Sequence, residues 1–157
     1  MSTIKHIAPA LFGIALSLTP VSGFAESTSH DAHGASELVL TLNAGAKWQG
    51  DDNMLKGMDA IRTAMATNLE AIHEDSLPAE DYKTLAAAVM VQTDFMIENC
   101  ELEPAVDEQL HSVLGQVIAG ASDMEAGSEP RAGAVMIVEA LNAYGEHFEH
   151  PGWQPLN

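Results

Sequence analysis

Residues 53–74 read NMLKGMDAIRTAMATNLEAIHE, and their apolar members Met54, Met58, Ile61, Met65, Leu69 and Ile72 recur at steps of three and four. Side chains at that spacing share one face of an α-helix, so the stretch predicts an amphipathic helix of about six turns. A half-buried strand would show alternation of apolar and polar residues, and none is present here. Asp51 and Asp52 stand just ahead of the run, where carboxylates suit the positive end of a helix.

The chain that follows repeats this logic three times. Ser76-Leu77-Pro78 interrupts, and Pro78 with Glu80 and Asp81 opens a second helix. Its expected inward face is Tyr82, Leu85, Val89, Met96 and Cys100, with Gln92 and Thr93 interrupting the apolar pattern. Pro104 at a first-turn position opens a third helix, with Leu110, Leu114, Val117 and Ala121 inward. Gly127-Ser128 closes the next connection, with Ser128 expected as the N-cap before Glu129-Pro130. The fourth helix carries Ala134, Ile137 or Val138, Leu141, Tyr144 and Phe148 to a stop at Pro151-Gly152.

Four amphipathic helices of roughly twenty residues, joined by short loops, predict an all-α, up-down-up-down antiparallel four-helix bundle. A three-helix core with a loose fourth helix is the structural rival. Ala88, Ala121 and Ala134 are the expected points of close helix approach. Ahead of the first helix, Leu38, Leu40 and Leu42 alternate with Val39 and Thr41 up to Asn43-Ala44-Gly45, which predicts an extended N-terminal strap. The strap and Pro151-Gly152-Trp153 are expected to cover an end of the bundle.

Residues 1–25 read as a secretory signal peptide. Lys5 and His6 open it, an apolar run spans residues 7–18, and Gly23-Phe24-Ala25 offers small residues before a cut after Ala25. The apolar run falls short of the roughly 20 residues that a membrane span needs. A soluble periplasmic protein is therefore expected. Residues 26–36 (ESTSHDAHGAS), small and polar, are expected to form a flexible tail carrying His30 and His33. Residues 37–157 would form one bundle domain.

The formal net charge is −17, and removal of residues 1–25 takes away Lys5 and no acid. Such a chain repels phosphate backbones and anionic lipid, so neither nucleic acid nor a membrane is an expected partner. An acidic surface serves solubility and also attracts cations or a basic protein.

Alternating helix direction brings the start of helix one, the end of helix two, the start of helix three and the end of helix four to one pole. That pole collects Trp48, Met54, Met58, Met96, Cys100, His111, His147, His150 and Trp153, whereas the other offers His73, the loop near Ser76, and Met124. Cys100 is the only cysteine. In an exported chain an unpaired thiol is a buried small hydrophobe, a soft-metal ligand or half of a dimer disulfide. A thiolate and thioethers beside an imidazole select Cu(I) over zinc, calcium or magnesium. The expected metal ligands are Cys100, His111, and Met58 or Met54.

Each of these residues also has a plain structural use. Met54 and Met58, at i and i+4, fill irregular core space. His111 lies beside the central stripe, about 10 Å along the helix from its start, and His147 and His150 suit a negative helix end. No nucleophile elbow, HExxH or phosphate loop occurs, so no enzyme is expected. CxxCH is absent, which excludes covalent c-type haem on this chain.

Asp52-Asn53-Met54, Leu110-His111 followed by residues 114–118 (LGQVI), and Asn142-Ala143-Tyr144 resemble the small soluble periplasmic b-type cytochrome, itself a four-helix bundle. The resemblance implies that fold and a non-covalent haem b with Met54 as one ligand. That family's histidine ligand directly follows the tyrosine; here Gly145 stands in its place, with His147 nearby. Glu98-Asn99-Cys100, residues 107–111 and residues 142–153 (NAYGEHFEHPGW) are similar to a family of small exported proteobacterial proteins without an established activity. That likeness spans most of the mature chain and implies that Cys100, His111 and the His-Pro-Gly-Trp ending form one recurring unit. Three functions follow as expectations. The first is a periplasmic protein for Cu(I) storage, scavenging or transfer. The second is a non-catalytic bundle, monomer or dimer, that binds a periplasmic protein partner. The third is a haem b electron carrier using Met54 and His147.

Overall fold

A computed structural model of the chain describes residues 38–157. The expected signal peptide and tail, with His30 and His33, lie outside the described residues. Four helices build the domain: α1 (Asp52–His73), α2 (Ala79–Asn99), α3 (Pro104–Ala126) and α4 (Pro130–His147). They pack as an antiparallel four-helix bundle in which each helix lies against its sequence neighbour and α4 returns to α1. None of the described helices is long and apolar enough to cross a membrane.

The α1 stripe forms as its spacing predicts. Met54, Met58, Ile61, Met65 and Ile72 are fully buried, with Leu69 packed at the edge. Burial of each such side chain contributes roughly 1.5–3 kcal/mol relative to exposure, before the cost of ordering it. Asp51 is the N-cap, accepting the Met54 N–H at 2.7 Å and so satisfying a helix-end donor that would otherwise lack a partner.

Several local expectations need correction. Thr93 does not interrupt the inward face of α2: it is fully buried, and its hydroxyl donates to the Val89 carbonyl one turn back at 3.1 Å. Its polar atom is thus satisfied within the helix and its methyl joins the core. Cys100 does not belong to the helical face either. It caps α2 in extended conformation (φ −73°, ψ 138°) and is half-buried. Ser128 is not a cap: α3 ends on left-handed Gly127 (φ 73°), and the short link enters α4 through Glu129, with Pro130 in the first turn.

Ala88 is exposed, so it mediates no close approach. That role falls to Gly120 and Gly133, where α3 and α4 cross. A Cβ at Gly120 would lie 2.5 Å from the Gly133 carbonyl oxygen, and one at Gly133 would meet the Gly120 carbonyl. Ala121 and Ala134 are buried beside this crossing. The fourth helix is therefore an integral part of the core rather than a loose appendage.

Leu38 and Leu40 of the strap pack on the core, but Leu42 is exposed. The chain turns at Ala44 and Gly45, both with positive φ, and bridges Asn43 to Ala46. The strap is tied to α3 where the Thr41 N–H donates to Gln109 Oε1 at 2.8 Å. The C-terminal segment runs along the side of the bundle between α1 and α4 instead of covering an end. There the Leu156 N–H and carbonyl pair with the Asn142 side chain at 2.8 and 2.9 Å. Arg62 of α1 donates to the Gln154 carbonyl.

Candidate functional site at the Cys100 pole

Backbone hydrogen bonds close this pole. The Trp48 N–H donates to the His147 carbonyl and the Glu149 N–H to the Trp48 carbonyl, both at 2.8 Å, so the entry to α1 runs parallel to the exit from α4. The Asn53 side chain donates to the Asn99 carbonyl at 2.8 Å, joining α1 to the end of α2.

Asp51 is the hub. One carboxylate oxygen caps α1, the other accepts the Glu101 N–H at 2.7 Å, and the Cys100 thiol donates to the same group. Burial alone would raise the Asp51 pKa. The donated hydrogen bonds, with Glu101 foremost, outweigh it and hold the carboxyl below its ordinary value. The effect on Cys100 is opposite. Burial first, then the carboxylates of Asp51 and Asp107, push the thiol up to about 12. At neutral pH Cys100 is a protonated donor held by negative charge.

Next to it stands an aromatic group. Tyr144 is fully buried, stacks on Phe148 at 4.8 Å between ring centroids, and meets Trp153 edge-on at 4.8 Å. Its hydroxyl lies 3.0 Å from His150 Nδ1. Burial chiefly, and then Cys100, raise the Tyr144 pKa. Burial chiefly lowers that of His150, with Asp59 opposing and Arg62 adding, which makes its imidazole neutral at neutral pH.

The structure brings Cys100, Asp51 and Tyr144 together with the first turn of α1. The Met54 thioether lies against Gly50, where a Cβ would collide with its Sδ and Cε. Met58 sits one turn further along α1 and is fully buried, and Met96 packs into the space left by Gly57. His111 is not in this cluster. Its side chain is 69 % exposed, and its Nδ1 turns back to the Asp107 carbonyl at 2.9 Å and carboxylate at 3.3 Å. Asp107 links the two regions, since its charge acts on Cys100 and its oxygens hold His111.

Sequence reading did not identify Asp51, Asp107 or Tyr144 as parts of this pole. Asp51 carried a usable signal, an acid three residues ahead of the first buried methionine. The approach of Tyr144 to His150 depends on a chain reversal with no periodic signature. Among the described residues, no three His, Cys, Asp or Glu side chains converge as a metal-holding group.

The cytochrome resemblance does not extend to position 145, where no side chain can be accommodated. A side chain at Gly145 would run into the Trp153 indole, whose Nε1 is buried there without a partner. His147 turns its Nδ1 to the Ala143 carbonyl at 2.8 Å. Comparisons of the chain with protein-family models, curated proteins and solved structures return no match.

Proposed function

We propose that this is a non-catalytic periplasmic bundle that carries Cu(I) as cargo at the Cys100 pole. One observation carries the reading: the thiol is half-buried between the carboxylates of Asp51 and Asp107, beside a helix turn that bears Met54. Negative charge that strengthens the hold of sulfur on a proton also strengthens its hold on a cation that replaces the proton. Sulfur donors select a soft ion, and Cu(I) accepts fewer ligands than the converging His, Cys and carboxylate sets used by structural zinc. In this reading Cys100 supplies the thiolate and Met54 a thioether, with Met58 behind it. His111 offers an imidazole at the rim, where cargo would pass to a partner.

Competition against a chromophoric Cu(I) chelator tests this. Wild-type protein should withdraw one equivalent, Cys100→Ser should lose most of that affinity, and His111→Ala should weaken it less. Equal affinity for wild type and Cys100→Ser rejects the assignment.

A second reading, a bundle that docks a protein partner, is favoured by Val91 and Ile97, which are 62 % and 61 % exposed on α2. Val91→Glu and Ile97→Glu should then abolish a periplasmic cross-link while leaving helix content unchanged.

A further inference from the structure

A separate feature lies away from the Cys100 pole. A groove of about 980 Å³ begins where the α1–α2 loop meets the start of α4 and runs along one face of α4, with Leu38 of the strap on its wall. That volume is in the range of pockets that take small organic molecules. Its walls are largely apolar, with Leu77, Val135 and Met136 among them. Tyr82 lines it as well. This residue is only 3 % exposed, yet its hydroxyl has no hydrogen-bond partner. A buried polar group in that condition is costly unless something supplies the missing bond.

Charge decides the kind of molecule. Three carboxylates, Asp75, Glu129 and Glu139, line the groove against a single guanidinium, Arg131. Arg131 is already engaged, its Nε donating to the Ile72 carbonyl at 2.9 Å and Nη2 to the His73 carbonyl at 3.3 Å. It thereby secures the end of α1 to the start of α4. Glu139 lies ten residues beyond Glu129 on α4, about 15 Å along the axis, so a head beside Tyr82 meets the acids of the α1–α2 loop and the α4 start rather than Glu139. Asp75, whose charge acts on the Tyr82 hydroxyl, would repel an anionic head there and partner a cationic one. An N–H on that head would also supply the donor that the Tyr82 oxygen lacks.

We propose that this groove binds an organic cation with an apolar body, of the aliphatic-amine class. The ammonium head lies beside Asp75 near Tyr82, at the Glu129 end of α4, and the hydrocarbon body along Leu77, Val135 and Met136. This site is independent of Cys100 and of copper.

Decylamine, decanoate and decanol share a chain length and differ in the charge of the head. Calorimetric titration of the purified protein below the aggregation limit of each compound separates them. Decylamine should bind at least tenfold more tightly than the other two at low salt, with the preference shrinking as salt is added. In methyl-labelled protein the Met136 signal should move, while those of Met54 and Met58 stay in place. Asp75→Asn combined with Glu129→Gln should remove most of the preference. Tyr82→Phe should weaken decylamine several-fold while leaving the melting temperature unchanged or raised. The proposal is overturned if decanoate or decanol binds as tightly as decylamine, if Met54 responds instead of Met136, or if affinity is indifferent to the two acid-to-amide changes.

Discussion

The indole of Trp153 occupies the space that a side chain at position 145 would need. Glycine is thus required at that point of α4 by the returning C-terminal segment, and the same contact removes the position from use as a haem ligand. Gly145→Ala should cost about 1–3 kcal/mol of stability, the usual range for forcing a methyl into packed space. In a Trp153→Ala background the same change should cost less than about 1 kcal/mol. Denaturant unfolding of the four proteins in the cycle measures the difference. Equal costs in both backgrounds would show that the indole is not the obstacle.

Asp51 joins the start of α1 to the α2–α3 connection, so removing its carboxylate should loosen both. Asp51→Ala should destabilise by about 1–3 kcal/mol, combining a lost N-cap with the unpaired Glu101 N–H. Asp51→Asn, which keeps one acceptor oxygen, should cost less. Because folding holds the carboxyl below its ordinary value of 3.8, its contribution is present above that pH and disappears as pH falls through the lower folded value. The stability of Asp51→Asn should therefore decline less steeply below pH 3.8 than that of the wild type.

Cys100 should be a sluggish nucleophile. With the thiol pushed from its ordinary 9.0 up to about 12, little thiolate exists at pH 8, and iodoacetamide should react far more slowly than with an unstructured thiol. Asp51→Asn should accelerate the reaction by removing one of the charges that oppose ionisation. The same linkage predicts alkaline sensitivity. The contribution is intact below about pH 9 and is lost as pH rises toward about 12, a loss that Cys100→Ala should reduce.

The imidazole of His150 titrates below its ordinary 6.5 in the folded protein. The unfolded chain then binds that proton first, and stability falls as pH drops from 6.5 until the folded value is reached. His150→Gln should flatten this interval in melting curves recorded between pH 7.5 and 5. An unchanged slope would exclude His150 as its source.

Gly120→Ala and Gly133→Ala each place a methyl where α3 and α4 backbones meet. Either should lower stability by about 1–3 kcal/mol. Ala substitution at Gly115, where no atom crowds the added Cβ, should be neutral or stabilising. Thermal unfolding of the three variants distinguishes crowding from a general effect of helix propensity.

The helices were legible because each keeps its apolar residues on one face: Met54 to Ile72 in α1 and Leu110 to Ala121 in α3 are short-range patterns. Thr93 was misread because hydropathy ranks side chains without asking whether a hydroxyl can bond within its own turn. The crossing at Gly120 and Gly133 was missed because pairing two glycines from different helices requires the interhelical register, which no single helix encodes. The pole was legible as a gathering of helix ends. Its inner arrangement was not, because the Asp51 bonds and the approach of Tyr144 to His150 depend on loop conformation. His111 shares the pole by topology but faces water, a matter of rotation about α3 that one residue of spacing decides.

The parallel bridge between Trp48 and Phe148 fastens the residues just before α1 to those just after α4. Helical hairpins form from nearby sequence and form early, whereas a contact between such distant positions must wait until the chain between them is folded. The Trp48–Phe148 clasp is thus expected to close late in folding and to open more readily than the helices melt. Hydrogen exchange at the Trp48 and Glu149 amides would report that partial opening. Exchange faster there than in mid-helix would show that the clasp opens independently of the helices it joins.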